Sequence, residues 1–349
     1  MTPHYWFLLA MVIVVGIARF LFQSWWRGQK LGQGWGSEGQ LDVDEGAAAF
    51  KRRDWDRLVA LYRDRSPSDR YHFLQQLGLV TKLDATLPSK PTGDLAVVSA
   101  GVQVAWAWRH RGSGLGSTVA LKGAIKMKAL LLSAEHLLES LEPKLDSVGF
   151  ALRIRIAQGL DGSRGGLQRQ LNGAQALGAD QANIFVAFNH ILFVTPKWHG
   201  SLDEMMAVAR EYAAAPENAA WISLPAVAHV EAWIFRTTMD EDAARRADAE
   251  NYYAESEAFG AEIEALDDAF WAARTTTTKP MAHAELLIAH NYLAFLLYKR
   301  RLSARLARHL ERVGEDFTRT PWWSYAGFIS ASDASERVRA AAGLANQAP

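Results

Sequence analysis

The chain contains no cysteine, which excludes disulfides, thiolate nucleophiles and cysteine-held metals. Proline is scarce, 11 in 349 residues, and mostly marks segment ends, while alternating runs of β-branched residues are almost missing. Strands therefore have little to grow from, and abundant alanine favours helices. Neither sign of charge prevails. The 38 basic and 38 acidic residues give a formal net charge of +0, so broad electrostatic capture of nucleic acid is not expected. Catalytic signatures are lacking as well: no nucleophile elbow, kinase set, zinc-protease helix or P-loop occurs. Long apolar runs are also missing, with one exception.

That exception, Tyr5 to Phe22, is broken only by Arg19. As a helix it would reach about 27 Å, close to a hydrocarbon core of ~30 Å, with Trp6, Trp25 and Trp26 suited to the interfaces. No Lys or Arg precedes the run, whereas Arg19, Arg27 and Lys30 fall at its end or soon after, and Lys51, Arg52 and Arg53 come later. A cleaved secretory signal would carry its positive charge first. The positive-inside bias therefore predicts a single-pass span in the cell (inner) membrane, with the N-terminus outside and the remainder cytoplasmic. The alternative is a buried or amphipathic N-terminal helix, but between Tyr5 and Ala18 no polar positions recur on one face.

The composition then turns to Gly, Gln, Ser and Asp. The expected organisation is an anchor over 1–27, a flexible Gly-rich tether over 28–46, a helical domain over 47–331 and a weakly ordered tail over 332–349. Within the domain, apolar spacing predicts helices over 47–62 with a break at Arg53 and Asp54, then from Pro67 towards Leu79 behind a Ser66 cap. Others follow over 96–110, 119–141, 147–158, 165–177, 182–194, 202–215 and 221–235. In the 119–141 helix, Leu130, Ala134, Leu137, Leu138 and Leu141 form the expected buried stripe. The last helices are expected over 240–249, 254–273, 280–298 and 303–315, with a weak terminal helix with a frayed end after Ser332. Two of the helices are apolar nearly all round, yet each carries a polar pair, Asn189 with His190 and His290 with Asn291. Both pairs mark helices central to the domain and not lipid-facing.

Three segments carry a resemblance: AWAWRHRG over Ala105 to Gly112, PKWHGSLDEMMAVA over Pro196 to Ala209 continuing to Ala228, His229, Val230 and Glu231, and the helical stretch from Asn291 to Trp322. In these the chain resembles a bacterial family of tetratricopeptide-like (TPR-like) helical proteins that form a domain of unknown function. Only fragments of the tetratricopeptide period appear. The resemblance implies an all-α fold, a stack of antiparallel helix pairs forming an irregular α-solenoid with a concave face, and it brings no activity with it.

Candidate binding residues are Trp106, Trp108, Arg109 and Arg111 in the first segment, and Lys197, Trp198, His229, Glu231 and Trp233 in or beside the second. The two polar pairs Asn189 and His190, and His290 and Asn291, complete the set. The PKWHGS corner also has structural work to do. Lys197 suits the carboxyl end of the preceding helix, Gly200 a tight turn, and Ser201 with Glu204 a capping box. His229 and Glu231 stand two apart and face different ways, and His283 and His290 stand two turns apart, so no metal site is expected. No cofactor and no catalytic residue is assigned. The sequence reads as a membrane-anchored scaffold or adaptor that binds a protein or peptide on its concave face, with lipid contact through Tyr5 to Phe22. The alternative is a membrane-tethered, hydrolase-like enzyme with a His/Glu pocket drawn from His190, His229, Glu231 and His290.

Overall fold

Short polar side chains start most of the helices. Ser66 Oγ accepts the Asp69 backbone N–H at 3.2 Å with Pro67 in the first turn, and Asp146 does the same for Gly149 at 2.9 Å. Ser163, Ser201 and Asn218 cap three further helices. Each such bond satisfies an otherwise orphaned amide and contributes about 1 kcal/mol. The computed structural model describes residues 43–112, 119–142, 144–240, 242–276, 279–314, 316–323 and 331–344.

Among them are sixteen α-helices and no strand. The first six are α1 (Val43–Arg52), α2 (Trp55–Arg63), α3 (Pro67–Val80), α4 (Gly93–Arg111), α5 (Leu121–Glu139) and α6 (Ser147–Gly159). Next come α7 (Arg164–Ala176), α8 (Ile184–Phe193), α9 (Leu202–Ala214), α10 (Ala219–Ile222) and α11 (Leu224–Ile234). The last are α12 (Ala243–Glu255), α13 (Glu257–Thr276), α14 (His283–Lys299), α15 (Ser303–Val313) and α16 (Ala331–Ala341).

Neighbours in sequence pack together, α3 on α4, α4 on α5, and α14 on α15. The centre is α14, buried from Ala284 to Leu297 except at Leu286. Its Leu293, Phe295 and Leu297 are wholly withdrawn from water, each worth roughly 2 kcal/mol. This helix also meets α3, far away in sequence. The meeting point is the buried carboxylate of Glu285. It accepts from Ser68 Oγ at 2.9 Å, Asn218 Nδ2 at 2.8 Å and the Ala282 amide at 2.9 Å. Ser68 Oγ in turn accepts the Ile184 amide at 3.2 Å. The amino ends of α3, α8, α10 and α14 thus converge on one anion, where their dipoles favour negative charge.

The break at Arg53 and Asp54 and the stop at Gly112 fall where the sequence puts them. Elsewhere the structure differs. Helix α1 begins at Val43, inside the expected tether, because Val43 and Phe50 bury on the core. The stretch 221–235 is two helices, since Ser223 Oγ turns back to the Ala220 carbonyl at 2.6 Å and Pro225 opens the next. Helix α16 is the weak terminal helix expected after Ser332, but it starts at Ala331 and is firmly seated. Its Ala334 and Val338 are fully buried, and Ser303 Oγ bonds the Ala341 carbonyl at 2.8 Å. No described helix is long and apolar enough to cross a membrane. The Tyr5 to Phe22 run and the expected tether up to residue 42 lie outside the described residues.

Candidate functional site

Of the first-segment candidates, Trp106 is buried and donates through Nε1 to Thr81 Oγ1 at 3.2 Å. Arg109 caps the end of α3, donating to the Gly78 and Thr81 carbonyls at 2.7 and 2.9 Å. Both side chains serve the fold. Trp108 and Arg111 do meet Trp198 of the PKWHGS corner. The two indoles cross edge-on, 5.6 Å apart at 85°, and Arg111 Cζ stands 5.1 Å from the Trp198 ring. Arg155 of α6 covers Trp108 at 3.6 Å, a partner not foreseen from sequence.

At the corner itself, Lys197 has a partner that the sequence did not name. It forms an ion pair with Glu231, a buried carboxylate of α11, and isolating either charge there would cost several kcal/mol. Ser201 caps α9 as expected, but Glu204 turns away from a capping box to grip Arg164. A side chain at Gly200 would put its Cβ 2.2 Å from the Val194 carbonyl oxygen. Only glycine fits this close approach.

The candidate histidines do not converge. His190 Nδ1 lies 3.0 Å from Tyr212 Oη, and burial pushes the imidazole down to about 4. His229 Nε2 lies 3.3 Å from Glu262 Oε1, and His229, together with Arg210, holds that carboxyl down to about 2. Asn189 ties α8 to Tyr71 and to the Ala151 carbonyl, each at 2.9 Å. Trp233 donates to Glu250 at 3.1 Å beneath the Lys299 ammonium, 4.1 Å from its ring. Asn291 uses both ends of its amide. Nδ2 donates to the Leu287 and Asp316 carbonyls, and Oδ1 accepts from the Thr318 amide and Trp322 Nε1. The separate partners of His190, His229 and Glu231 leave no shared His/Glu pocket among the described residues. Nor could any described group of three or more His, Asp or Glu residues hold a metal ion.

His290 belongs to a different assembly. Asp267 of α13 and His309 of α15 are fully withdrawn from solvent, with His309 Nε2 2.8 Å from Asp267 Oδ1. His309 Nδ1 lies 2.9 Å from His290 Nδ1, and His290 Nε2 lies 3.1 Å from Arg274. Burial opposes ionisation of Asp267, but hydrogen bonds from His309 and Arg305 outweigh it and hold the carboxyl below its usual range. An anion only accepts, so the His309 proton sits on Nε2, where the carboxylate at 2.8 Å prevails over the Trp271 indole N–H that faces the same nitrogen at 3.3 Å. His309 Nδ1 then accepts from His290, whose Nε2 accepts from Arg274. Burial keeps both imidazoles neutral, pushing His290 down to about 2. Four side chains on three helices thus form one hydrogen-bonded line.

No family model, no curated protein and no solved structure matches the chain. Function therefore rests on surface chemistry, and α5 supplies a feature beyond the sequence stripe, of which Ala134 and Leu138 are buried and Leu130, Leu137 and Leu141 pack against the core. The buried positions are Met127, Leu131, Ala134 and Leu138. Leu121 is 76% exposed, Ile125 60% and Leu132 51%. These three share one helical face with Lys128 and Glu139. Lys122 flanks the amino end, and at the carboxyl end Glu135, Glu139 and Glu142 border a cleft of about 530 Å³ with Phe150, Arg153 and Arg169.

Proposed function

We propose that this chain is a helical protein-binding module, held by Tyr5 to Phe22 at the cytoplasmic face of a membrane, that scaffolds or localises a partner there. The helices α9 to α11 and the pair α14 with α15 are its TPR-like part, in an irregular stack that the Glu285 junction closes. The observation that carries the binding role is the exposed apolar row Leu121, Ile125 and Leu132 on α5. Exposed leucines are ordinary singly, but a row on one face is the pattern of a helix-docking surface. Lys122 flanks the amino end of the row, Lys128 lies within it and Glu139 stands at its carboxyl end, while Glu135 and Glu142 are held by Arg153, so the row fits an amphipathic helix with acidic residues beside its apolar stripe.

The test is site-specific photocrosslinking in intact cells from position 125 and, separately, from position 132. Both positions are expected to capture the same protein, and Leu121→Asp with Ile125→Asp is expected to reduce its capture from position 132 at least tenfold while leaving the unfolding midpoint unchanged. Equal capture by the double variant would refute the surface. A reporter fused after Pro349 tests the topology, with a cytoplasmic signal expected and an extracytoplasmic one excluding it.

A further inference from the structure

Two guanidiniums lie over the partly buried ring of Trp271, with Arg308 Cζ 4.6 Å and Arg274 Cζ 5.3 Å from its centroid. Arg312 follows Arg308 by one helical turn on α15 and so shares its face. Its charge also reaches Arg274 and His290. Among the described residues no carboxylate pairs with any of these three arginines, whereas the nearby acids Glu264, Asp267 and Asp268 are all taken by Arg305. Arg153, Arg164, Arg210 and Arg245 all have carboxylate partners. The Trp271 cluster departs from that pattern.

The buried line behind it points the same way. Placing Asp267, His309 and His290 in the core costs desolvation that apolar side chains would avoid. What the line achieves is to fix one N–H of Arg274. A guanidinium carries five N–H donors, so those that remain are free to face outward beside Arg308 and Arg312. Three positive charges held together repel one another unless an anion joins them. A tetrahedral dianion matches both the charge and the two-pronged donor geometry of arginine.

We propose that Arg274, Arg308 and Arg312 form a binding site for a phosphate group, carried by a free phosphate compound or by a lipid headgroup, with Asp267, His309 and His290 as the positioning line for Arg274. The site is independent of the α5 surface.

The experiment is isothermal titration calorimetry on the full chain in neutral detergent micelles, with inorganic pyrophosphate and with dioctanoyl phosphatidic acid as probes. Saturable binding of at least one probe is expected, weakened at least tenfold by Arg308→Ala with Arg312→Ala, both exposed positions. Tighter binding of pyrophosphate assigns the site to free phosphate compounds, and tighter binding of the lipid assigns it to a headgroup. For the positioning line, His290→Leu is expected to weaken binding severalfold. His290→Gln, which keeps one donor and one acceptor, is expected to restore most of it. No saturable binding, or binding that the double arginine variant leaves unchanged, overturns the site. An unchanged dissociation constant in His290→Leu overturns the positioning role.

Discussion

His190 and His290 are neutral in the folded protein because burial penalises their charged forms, with folded values of about 4 and about 2. Both lie below the ~6.5 of an unfolded histidine. The stability tied to their neutral state is fully present above pH ~6.5 and is lost as pH falls from there towards the folded values, at up to ~1.4 kcal/mol per pH unit per site. Urea midpoints at pH 7.5 and pH 5 should therefore differ by about 2 kcal/mol or more in free energy, with the acid side weaker. His190→Gln should reduce that difference, and a flat profile over this range would contradict the burial. The line behind His290 left a faint trace in the sequence. Asp267 falls on the same face of α13 as the buried Ile263 and Phe270, and His309 falls among the buried Leu306, Leu310 and Val313 of α15. A carboxylate and an imidazole on two apolar stripes are the available signal. That they meet depends on how α13 and α15 flank α14, which no local pattern encodes.

Helix positions were legible because caps and stops are local chemistry. Ser66 before Pro67, Asp146, Ser163, Ser201 and Gly112 each act within one turn of their own position. Rotational phase was less legible. Leu130, Leu131 and Leu132 are consecutive, so each falls about 100° from the next and spacing alone does not choose which one faces the core. The structure chooses Leu131 and leaves Leu132 outside. The close approach of α3 and α4 is another feature without a periodic signature. A Cβ at Gly78 would lie 2.3 Å from Ala105 Cβ and 3.3 Å from the Val102 carbonyl oxygen. Alanine usually improves a helix interior by about 1 kcal/mol over glycine. Here neither obstacle can swing aside, and overpacking of ~1–3 kcal/mol should prevail. Gly78→Ala is expected to lower the thermal midpoint, and a rise would mean that the helices slide freely at this contact.

At the scale of the molecule, the Glu285 junction distinguishes this arrangement from an open array, in which each repeat touches only its neighbours. Glu285→Ala should remove the acceptor for Ser68, Asn218 and the Ala282 amide together, costing about 3–5 kcal/mol in chemical denaturation. Because the amino ends of four helices share that carboxylate, the loss should appear as a shift of one common transition and not as the melting of the C-terminal part alone. Two separate transitions would show that α14 does not hold the N-terminal helices. The junction also sets an order of events during synthesis. Ser68 and Glu285 are 217 residues apart, so at ~5–20 residues per second about 10–40 s pass between their appearances. Through that interval the amino ends of α3 and α8 wait without their shared anion, and the faces later covered by α14 are open to chaperones. A ribosome stalled before residue 285 would therefore carry a nascent chain far more sensitive to protease than the finished protein.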